Sequence, residues 1–202
     1  ENASIENGLC RSCGLIFNNK GTRGFTESFY RESYSLMRRS KGSSIRNFSS
    51  GGQISQAELT NNILLEMADL DAEGTVLEAG AGKGEFLGYF MKKKPQWQVY
   101  AFEPSASYEE LSDVLTEGYA QKCDYFDYSL DMKQVDLVVA LGVLEHVENP
   151  LDMMAWAAER LKVGGYFYVR VPNFENNPND LFCVDHLSKL TESTLRSLAE
   201  HS

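Results

Sequence analysis

The strongest constraint on the fold of this chain is a regular alternation of short apolar segments with amphipathic ones from residue 75 onward. The apolar segments have the length and composition of strands, and the segments between them repeat hydrophobic residues at helical spacing. Strands that alternate with helices form a parallel sheet with right-handed crossovers. The sequence therefore predicts an α/β fold, a three-layer sandwich around a mostly parallel sheet. The predicted strands are residues 75–79, 98–103, 119–123, 136–141 and 166–171.

Five helices are predicted around these strands. The first covers residues 55–70 and carries an apolar stripe of Leu59, Ile63, Leu64 and Met67. Proline and glycine residues after the next three segments stop those helices. The remaining predicted helices are residues 84–94, 107–117, 150–161 and 191–201.

Composition and charge limit the class of protein. The chain has 202 residues, 43% of them hydrophobic, and this length suits one domain with a small appendage. It contains no run of about eighteen apolar residues, so no membrane partner is expected. The first residues lack the basic and apolar regions of a signal peptide, which favours a cytoplasmic location.

The formal net charge of −10 disfavours nonspecific nucleic-acid binding, so no nucleic-acid partner is expected. The charge is uneven, because residues 20–46 contain seven basic and two acidic side chains. Two interpretations of this segment are open. It is either a solvated arm or a basic wall that attracts an anionic substrate.

Residues 1–53 are polar and irregular in pattern, and we interpret them as an N-terminal arm that precedes a domain of residues 54–202. The arm carries the pair Cys10 and Cys13. A structural zinc site needs four ligands, and one such pair supplies two, so no metal site is predicted. The other cysteines, Cys123 and Cys183, complete no disulfide framework.

A glycine-rich loop follows the first predicted strand. Gly80, Gly82 and Gly84 allow positive φ angles and close approach of the backbone to a ligand. The spacing differs from the G-x-G-x-x-G pattern that binds a dinucleotide, which disfavours a nicotinamide-dependent oxidoreductase. Glu78 places a carboxylate beside the loop, which suits an ammonium group better than a pyrophosphate. The alternative is a plain strand-to-helix turn.

Two further acids follow strands. Glu103 ends the second strand, where a carboxylate can accept hydrogen bonds from ribose hydroxyls. Asp124 follows the third strand and could accept hydrogen bonds from an adenine amino group. Each has a simpler alternative, a surface acid for Glu103 and a turn residue for Asp124.

From about residue 54 to the C-terminus, these motifs resemble the class I S-adenosylmethionine-dependent methyltransferases, which have a Rossmann-like fold. Residues 77–84 resemble the first family motif, and residues 136–147 resemble the fourth-strand motif. The resemblance implies S-adenosylmethionine as the cofactor. The cofactor-binding residues that it implies are Glu78, Gly80, Ala81, Gly82, Gly84, Glu103, Pro104, Ser105, Asp124, Tyr125, Leu141, Gly142 and Val143.

The family usually has seven strands, and five are readable here. We therefore expect that the last strands are missing from the sequence, or that an intermolecular contact replaces them. The fifth strand would then lie at an exposed sheet edge, through which a homo-oligomer could form.

A narrower resemblance links the chain to sugar-nucleotide C-methyltransferases and their relatives. Residues 10–17 are similar to the second half of the zinc-binding N-terminal module of that group, although the upstream cysteine pair is absent. Residues 185–191 are similar to a stretch in which a histidine faces the substrate, and this implies His186 as the base. Cys183 stands where those enzymes often have a tyrosine.

The predicted activity is methyl transfer to a small, anionic acceptor such as a nucleotide-linked sugar. His186 and His146 are the candidate catalytic residues, with Asp185 expected to orient His186. The alternatives are a capping or surface histidine for His186, and a residue that shapes the cofactor pocket for His146. Tyr30 and Tyr34 could close over the cofactor, or simply pack. The alternative function is a non-catalytic Rossmann-like binding or scaffold protein. Arg46 and Gln53, which both precede the first predicted helix, are candidates for contact with the methionyl carboxylate.

Overall fold

The computed structural model describes residues 4–33, 45–47, 52–116, 118–123 and 134–201. The strands are β1 (Asn7–Leu9), β2 (Ile16–Asn18), β3 (Ile45–Asn47), β4 (Gln53–Ser55), β5 (Glu73–Ala79), β6 (Gln96–Phe102), β7 (Tyr119–Gln121), β8 (Val135–Leu141), β9 (Leu161–Arg170) and β10 (Ser188–Lys189). The main helices are α1 (Gln56–Met67), α2 (Glu85–Lys93), α3 (Tyr108–Val114), α4 (Pro150–Arg160) and α5 (Glu192–Glu200).

The central sheet has five parallel strands in the order β7-β6-β5-β8-β9. The chain runs outward from β5 through β6 to β7, and then crosses to the other side of β5 to form β8 and β9. The strand order therefore reverses between β5 and β8, and in parallel α/β sheets a ligand crevice opens at the carboxyl ends of such a pair. The predicted α/β fold with a parallel sheet is confirmed.

Two apolar cores cover the two faces of this sheet, as alternating side chains of β8 demonstrate. Val138 and Ala140 pack in a core that α4 and α5 cover. Leu137 and Val139 face the opposite way, into a core formed with α1, α2 and α3. Strand side chains alternate between faces, and a strand buried on both faces is therefore apolar throughout. These cores make the three layers of the sandwich.

The apolar stripe predicted for α1 is only partly its buried face. Leu64 is buried, whereas Ile63 and Met67 are exposed. Thr60 and Asn61 point inward instead, because they make hydrogen bonds there: the Asn61 Nδ2 donates to the carbonyl of Phe86 at 3.0 Å. Polar contacts with neighbouring elements thus set the orientation of α1. The spacing of apolar residues within the helix does not indicate these contacts, so the predicted stripe is only partly buried.

The described part of the N-terminal segment contains regular strands where an irregular arm was expected. β1 and β2 form an antiparallel hairpin, and β10 pairs with the other edge of β2. Cys10 and Cys13 lie in the hairpin turn, where Gly14 has a φ of 77°. Because β10 follows His186 by only two residues, this small sheet ties the N-terminal segment to the loop that carries the histidine.

Both edges of the five-stranded sheet, β7 and β9, pair on one side only within the described part of the chain. Along β9, Val163 is fully exposed and Tyr166 is partly exposed. The fifth strand of the fold therefore lies at a sheet edge.

None of the helices in the described ranges has both the length and the apolar character needed to span a membrane.

Replacing Asn18 by alanine is expected to lower the free energy of unfolding by about 2–3 kcal/mol. Asn18 is fully buried, its Oδ1 accepts hydrogen bonds from the backbone N–H groups of Glu6 and Lys20, and its Nδ2 donates to the carbonyl of Val184. The substitution leaves those backbone groups without their partner. Urea unfolding measures the change.

Asn7→Ala is the matched control, because Asn7 is exposed and makes one hydrogen bond, to the carbonyl of Leu181. It is expected to change the free energy of unfolding by less than about 0.5 kcal/mol. Equal effects of the two substitutions would contradict the contribution that is assigned to the buried hydrogen bonds of Asn18.

Candidate active site

A cavity of about 650 Å³ opens at the carboxyl ends of β5, β6, β8 and β9. It lies at the reversal of strand order, where the fold places ligand sites. Of the predicted site residues, the ones that line it are Gly80, Gly82, Glu103, Pro104, Ser105, Leu141, Gly142, Val143, His146 and His186. The parallel sheet thus gathers residues that are more than one hundred positions apart in the chain.

The glycine-rich loop forms one wall of this cavity. Gly80, Gly82 and Gly84 all have positive φ angles, of 66°, 56° and 76°. At Gly80 an added Cβ would lie 2.7 Å from Cγ2 of Val143, in the loop after β8. Glycine is therefore required at Gly80 both by backbone conformation and by close packing.

Glu103 connects the loop to the end of β6. Its Oε2 accepts a hydrogen bond from the backbone N–H of Gly82 at 2.7 Å, and its Oε1 accepts one from the N–H of Ser105 at 2.9 Å. The side chain is only 6% exposed, yet it lines the cavity. Each carboxylate oxygen has a second lone pair, so the group can accept further hydrogen bonds from a ligand.

Three predicted cofactor residues do not line the cavity. Ala81 is buried, and its N–H donates to the carbonyl of Phe102. Gly84 caps the start of α2 in a left-handed conformation. Glu78 is buried in β5. Asp124 and Tyr125, predicted to contact adenine, lie outside the described residues.

Glu78 differs from the expected ion-pairing acid. Burial raises the pKa of its carboxyl well above the usual range, the charge of Glu103 adds to this, and Arg170 opposes it. Its Oε2 has no hydrogen-bond partner among the described residues. The protein without a ligand therefore favours the neutral acid, and a cation bound nearby would favour the carboxylate.

Arg170 was not identified from the sequence. It ends β9, lines the cavity, and is the one lysine or arginine among the described lining residues. Its Nη1 donates to Oγ1 of Thr60 at 2.8 Å, which connects α1 to the site. Burial lowers the pKa of its guanidinium, although Tyr168 and other acidic groups oppose this. A partly buried, oriented guanidinium is suited to binding a carboxylate.

Arg46 and Gln53 do not reach the cavity wall. Both are exposed. Arg46 donates from Nε to Oε1 of Gln56 at 2.6 Å, and Gln53 donates to Oδ1 of Asn47 at 2.8 Å. They connect the β3–β4 hairpin and the start of α1, and neither is among the cavity-lining residues.

The two predicted catalytic histidines lie together on one side of the cavity. The ring centroids of His146 and His186 are 4.6 Å apart in an edge-to-face arrangement. Nδ1 of His146 lies 3.0 Å from the backbone carbonyl of Asp185, so this nitrogen carries the proton and Nε2 has the free lone pair. Burial lowers the pKa of His146 to about 4, and the charge of His186 adds to this.

The sequence-based assignment of Asp185 as the group that orients His186 is wrong. Nδ1 of His186 lies 2.5 Å from Oδ1 of Asp180, a buried carboxylate. Burial opposes protonation of His186, but the hydrogen bond to Asp180 and its charge outweigh burial and raise the pKa of His186. Asp180 lies in the 3₁₀ turn Pro178–Phe182, six residues earlier, and no local motif indicates the pairing.

Glu145 and Tyr30 complete this side of the cavity. Glu145 is 3% exposed, and burial raises the pKa of its carboxyl to about 7. The Tyr30 ring packs edge-to-face on His146 at 5.4 Å, and its hydroxyl donates to Oδ2 of Asp185 at 3.4 Å. Tyr30 thus packs against His146 and lines the cavity, and its closure over a cofactor stays a prediction. Tyr34 lies outside the described residues.

Residues 53–202 match a family described as a methyltransferase domain. The chain belongs to this family. The matched span contains the whole five-stranded sheet and all the described cavity-lining residues except Thr26 and Tyr30. Membership in this methyltransferase family agrees with the broader of the two resemblances. No curated protein sequence matches the chain.

Solved structures with the same fold include three of interest. The plantazolicin methyltransferase BpumL, in complex with S-adenosylhomocysteine and a monoazolic desmethylPZN analogue, has a TM-score of 0.58 at 17% identity, over 70% of this chain and 59% of its own. CalO1, a methyltransferase in calicheamicin biosynthesis, has a TM-score of 0.54 at 16% identity, over 70% of this chain and 46% of its own, also with S-adenosylhomocysteine bound.

A chain of the Haloferax volcanii complex that contains the Trm112 methyltransferase activator has a TM-score of 0.61 at 17% identity, over 70% of this chain and 66% of its own. At such identities the likeness establishes the fold alone. The chain spans 59% of the length of BpumL, the first of these structures.

Proposed function

We propose that this chain binds S-adenosylmethionine in the cavity and transfers its methyl group to a small acceptor. The observation that carries the proposal is Glu103, a buried carboxylate that anchors the glycine-rich loop and also lines the cavity. A carboxylate in this position can hold two ribose hydroxyls. The S-adenosylhomocysteine in BpumL and CalO1, which share the fold, supports the same nucleoside here.

Within this proposal, the predicted cofactor residues divide the work. Gly80 and Gly82 let the backbone approach the methionyl part, and Ala81 and Gly84 keep the loop in shape. Pro104 and Ser105 flank the ribose acid. Three residues at the end of β8 and just after it would lie against the cofactor near its sulfur: Leu141, Gly142 and Val143. Contacts of Asp124 and Tyr125 with adenine, and of Glu78 with the ammonium group, stay predictions.

The reaction would be a direct displacement. An electron pair of the acceptor forms a bond to the methyl carbon while the S–CH₃ bond breaks, and its electrons return to sulfur to give S-adenosylhomocysteine. Because the sulfonium already activates the methyl group, the protein contributes mainly alignment and exclusion of water. The part of the cavity around His146 and His186 would receive the acceptor, and we call it the acceptor's side. The two histidines are proposed to act on the acceptor.

The acceptor class is proposed from the narrower sequence resemblance, and the charges at the cavity wall add a requirement to it. Among the described cavity-lining residues, the acceptor's side carries carboxylates at Glu145, Glu148, Asp152 and Asp185. An anionic acceptor such as a nucleotide-linked sugar therefore needs positive charge from elsewhere. The basic segment 20–46 is one source, although Arg38, Arg39 and Lys41 lie outside the described residues.

Calorimetric titration tests the cofactor, and labelled methyl transfer to a panel of nucleotide sugars tests the acceptor. We expect saturable binding of S-adenosylhomocysteine and none of NAD. Binding of NAD alone would overturn the proposal. Binding of S-adenosylhomocysteine without transfer to any acceptor would instead favour the alternative, a non-catalytic binding protein. A homo-oligomer through the edge of β9 stays a prediction, which sedimentation can test.

Within this proposal, Arg170 binds the methionyl carboxylate. Arg170→Gln is expected to weaken the binding of S-adenosylhomocysteine about 10-fold to 100-fold, because one charge-assisted hydrogen bond to that carboxylate is lost. Binding of 5′-methylthioadenosine, which lacks that carboxylate, should stay within about twofold. Calorimetry with both ligands measures the difference. Arg46→Gln is the matched control, because Arg46 is exposed and was the candidate from sequence. A selective loss in Arg46→Gln and none in Arg170→Gln would reverse the assignment.

A further inference from the structure

Glu145, His146 and His186 form a cluster of metal-ligand groups at the cavity wall. Each offers one ligand atom, and these atoms all lie within 4.8 Å of one another. The distance from Nε2 of His146 to Oε1 of Glu145 is 3.9 Å. A divalent ion bound at about 2.0–2.2 Å from each ligand in a tetrahedral site brings its donors to about 3.3–3.6 Å from one another, so small side-chain movements would complete the site.

Both histidines are already held in the way that metal-bound histidines are. Nδ1 of His186 is hydrogen-bonded to the buried carboxylate of Asp180, and Nδ1 of His146 to the backbone carbonyl of Asp185. In metal sites the non-ligating ring nitrogen donates to a carboxylate or carbonyl, which sets the tautomer and leaves the other nitrogen for the metal. Here the free nitrogen of each ring is Nε2.

A second observation is independent of the histidines. Glu145 is 97% buried and lines the cavity, but its Oε2 has no hydrogen-bond partner among the described residues. Leaving a buried carboxylate oxygen without a partner costs free energy, and such groups in native proteins call for an explanation such as an ion. A cation bound by the Glu145 carboxylate, through either oxygen or both, would compensate for this burial.

We propose that Glu145, His146 and His186 bind a divalent transition-metal ion at the acceptor's side of the cavity. Two imidazole nitrogens and one carboxylate are a donor set that suits Zn²⁺, Co²⁺, Mn²⁺ or Fe²⁺ better than Mg²⁺ or Ca²⁺. Three protein ligands leave coordination positions open toward the cavity, as in catalytic metal sites.

The consequence for catalysis rests on the proposed function. An ion at this place would hold an acceptor oxygen and lower the pKa of a hydroxyl bound to it, and the released proton would leave through the cavity to water. It would also supply positive charge beside Glu148, Asp152 and Asp185, which an anionic acceptor needs. The imidazoles would then act on the acceptor through the ion.

A competing ligand set shares His186. Asp180, Cys183 and His186 also place their ligand atoms within 4.8 Å of one another. This set is less suitable, because the Asp180 oxygen is engaged with Nδ1 of His186 and burial raises the pKa of the Cys183 thiol, which disfavours the thiolate. The test must therefore separate the two sets.

The experiment uses the full chain with Cys10→Ser and Cys13→Ser, which removes the pair in the hairpin turn as a source of metal binding. After treatment with EDTA and dialysis, the protein is titrated with CoCl₂, followed by calorimetry and by visible absorption of the bound ion. We expect one equivalent of Co²⁺ to bind, and Zn²⁺ to compete. MgCl₂ at the same concentration should not compete.

Glu145→Gln and His146→Gln are each expected to weaken Co²⁺ binding by at least about 100-fold. Replacing a group that only hydrogen-bonds to a metal ligand typically costs about 10-fold to 100-fold in affinity. The matched control is Asp152→Asn, a carboxylate of the same cavity that is outside the cluster. It removes a nearby charge but no ligand, so Co²⁺ affinity should fall by less than about threefold. Thermal unfolding without metal checks that each variant folds, and two ligand variants keep the test decisive if one does not.

Absence of saturable Co²⁺ binding would overturn the proposal, as would unchanged affinity in both ligand variants. Loss of binding in Cys183→Ala, together with a thiolate-to-cobalt charge-transfer band in the parent protein, would assign the ion to the competing set and also overturn it. Titration of the same samples with S-adenosylhomocysteine keeps the two questions separate. Co²⁺ binding without nucleoside binding would contradict the proposed function and leave the metal site standing.

Discussion

Gly80→Ala is expected to weaken the binding of S-adenosylhomocysteine by at least about 100-fold, a loss of roughly 3 kcal/mol in binding free energy. The new methyl group would lie 2.7 Å from Cγ2 of Val143, and both residues line the cavity. A contact this short forces the loop or the segment after β8 to move. The residue also has a φ of 66°, which costs a non-glycine residue about 1–2 kcal/mol.

Gly164→Ala separates strain from steric overlap. Gly164 has a φ of 84° and nothing within 4 Å of an added Cβ, and it lies in the exposed part of β9. It is expected to lower the free energy of unfolding by about 1–2 kcal/mol and to leave nucleoside affinity unchanged. Calorimetry and urea unfolding of both variants measure the two effects. If Gly80→Ala binds as tightly as Gly164→Ala, the loop does not contact the cofactor.

Glu103→Ala should weaken the binding of S-adenosylhomocysteine by about 100-fold to 10,000-fold. Two hydrogen bonds from ribose hydroxyls to a carboxylate contribute about 1.5–3 kcal/mol each, and both are lost. The substitution also removes the acceptor for the N–H groups of Gly82 and Ser105, so the loop loses its anchor. Calorimetric titration measures the affinity. Glu110→Gln, an exposed acid paired with Lys83 at 2.9 Å, removes a charge outside the cavity and should have no effect.

Glu103→Gln distinguishes contact with ribose from support of the loop. The amide keeps one oxygen acceptor and nearly the same shape, so a loss of about tenfold is expected. The 2′-deoxy analogue of S-adenosylhomocysteine should bind less tightly than the parent nucleoside to the unaltered protein. This difference should shrink in Glu103→Gln if the carboxylate binds the ribose. An undiminished difference would contradict the ribose assignment.

Several parts of the site could be predicted because they are local in sequence. Gly80, Gly82 and Glu103 each sit directly after a strand, and the carboxyl ends of parallel strands meet at one edge of a sheet. Strand type and order along the chain are therefore enough to gather them. The same reasoning brings Gly142 and His146, which follow β8, to the same cavity.

Other parts could not be predicted, because they depend on contacts between distant segments. Asp180 pairs with His186 through an irregular turn that has no periodicity to interpret. Arg170 ends a strand whose apolar neighbours gave no indication of a cation at the cavity. On α1, Thr60 and Asn61 face inward, where Arg170 on β9 donates to the Thr60 hydroxyl and the Asn61 Nδ2 donates to a carbonyl on α2.

The sequence by itself determined the alternation of strands and helices, the parallel sheet, and the glycine-rich loop with Glu103 beside it. These follow from hydrophobic period and from backbone conformations that glycine alone adopts readily, both of which are properties of short segments. The tertiary structure alone decided the partner of each histidine, the single arginine at the described cavity wall, and the buried oxygen of Glu145. Such features depend on which polar atoms desolvation leaves facing one another, and that becomes defined only when distant segments pack together.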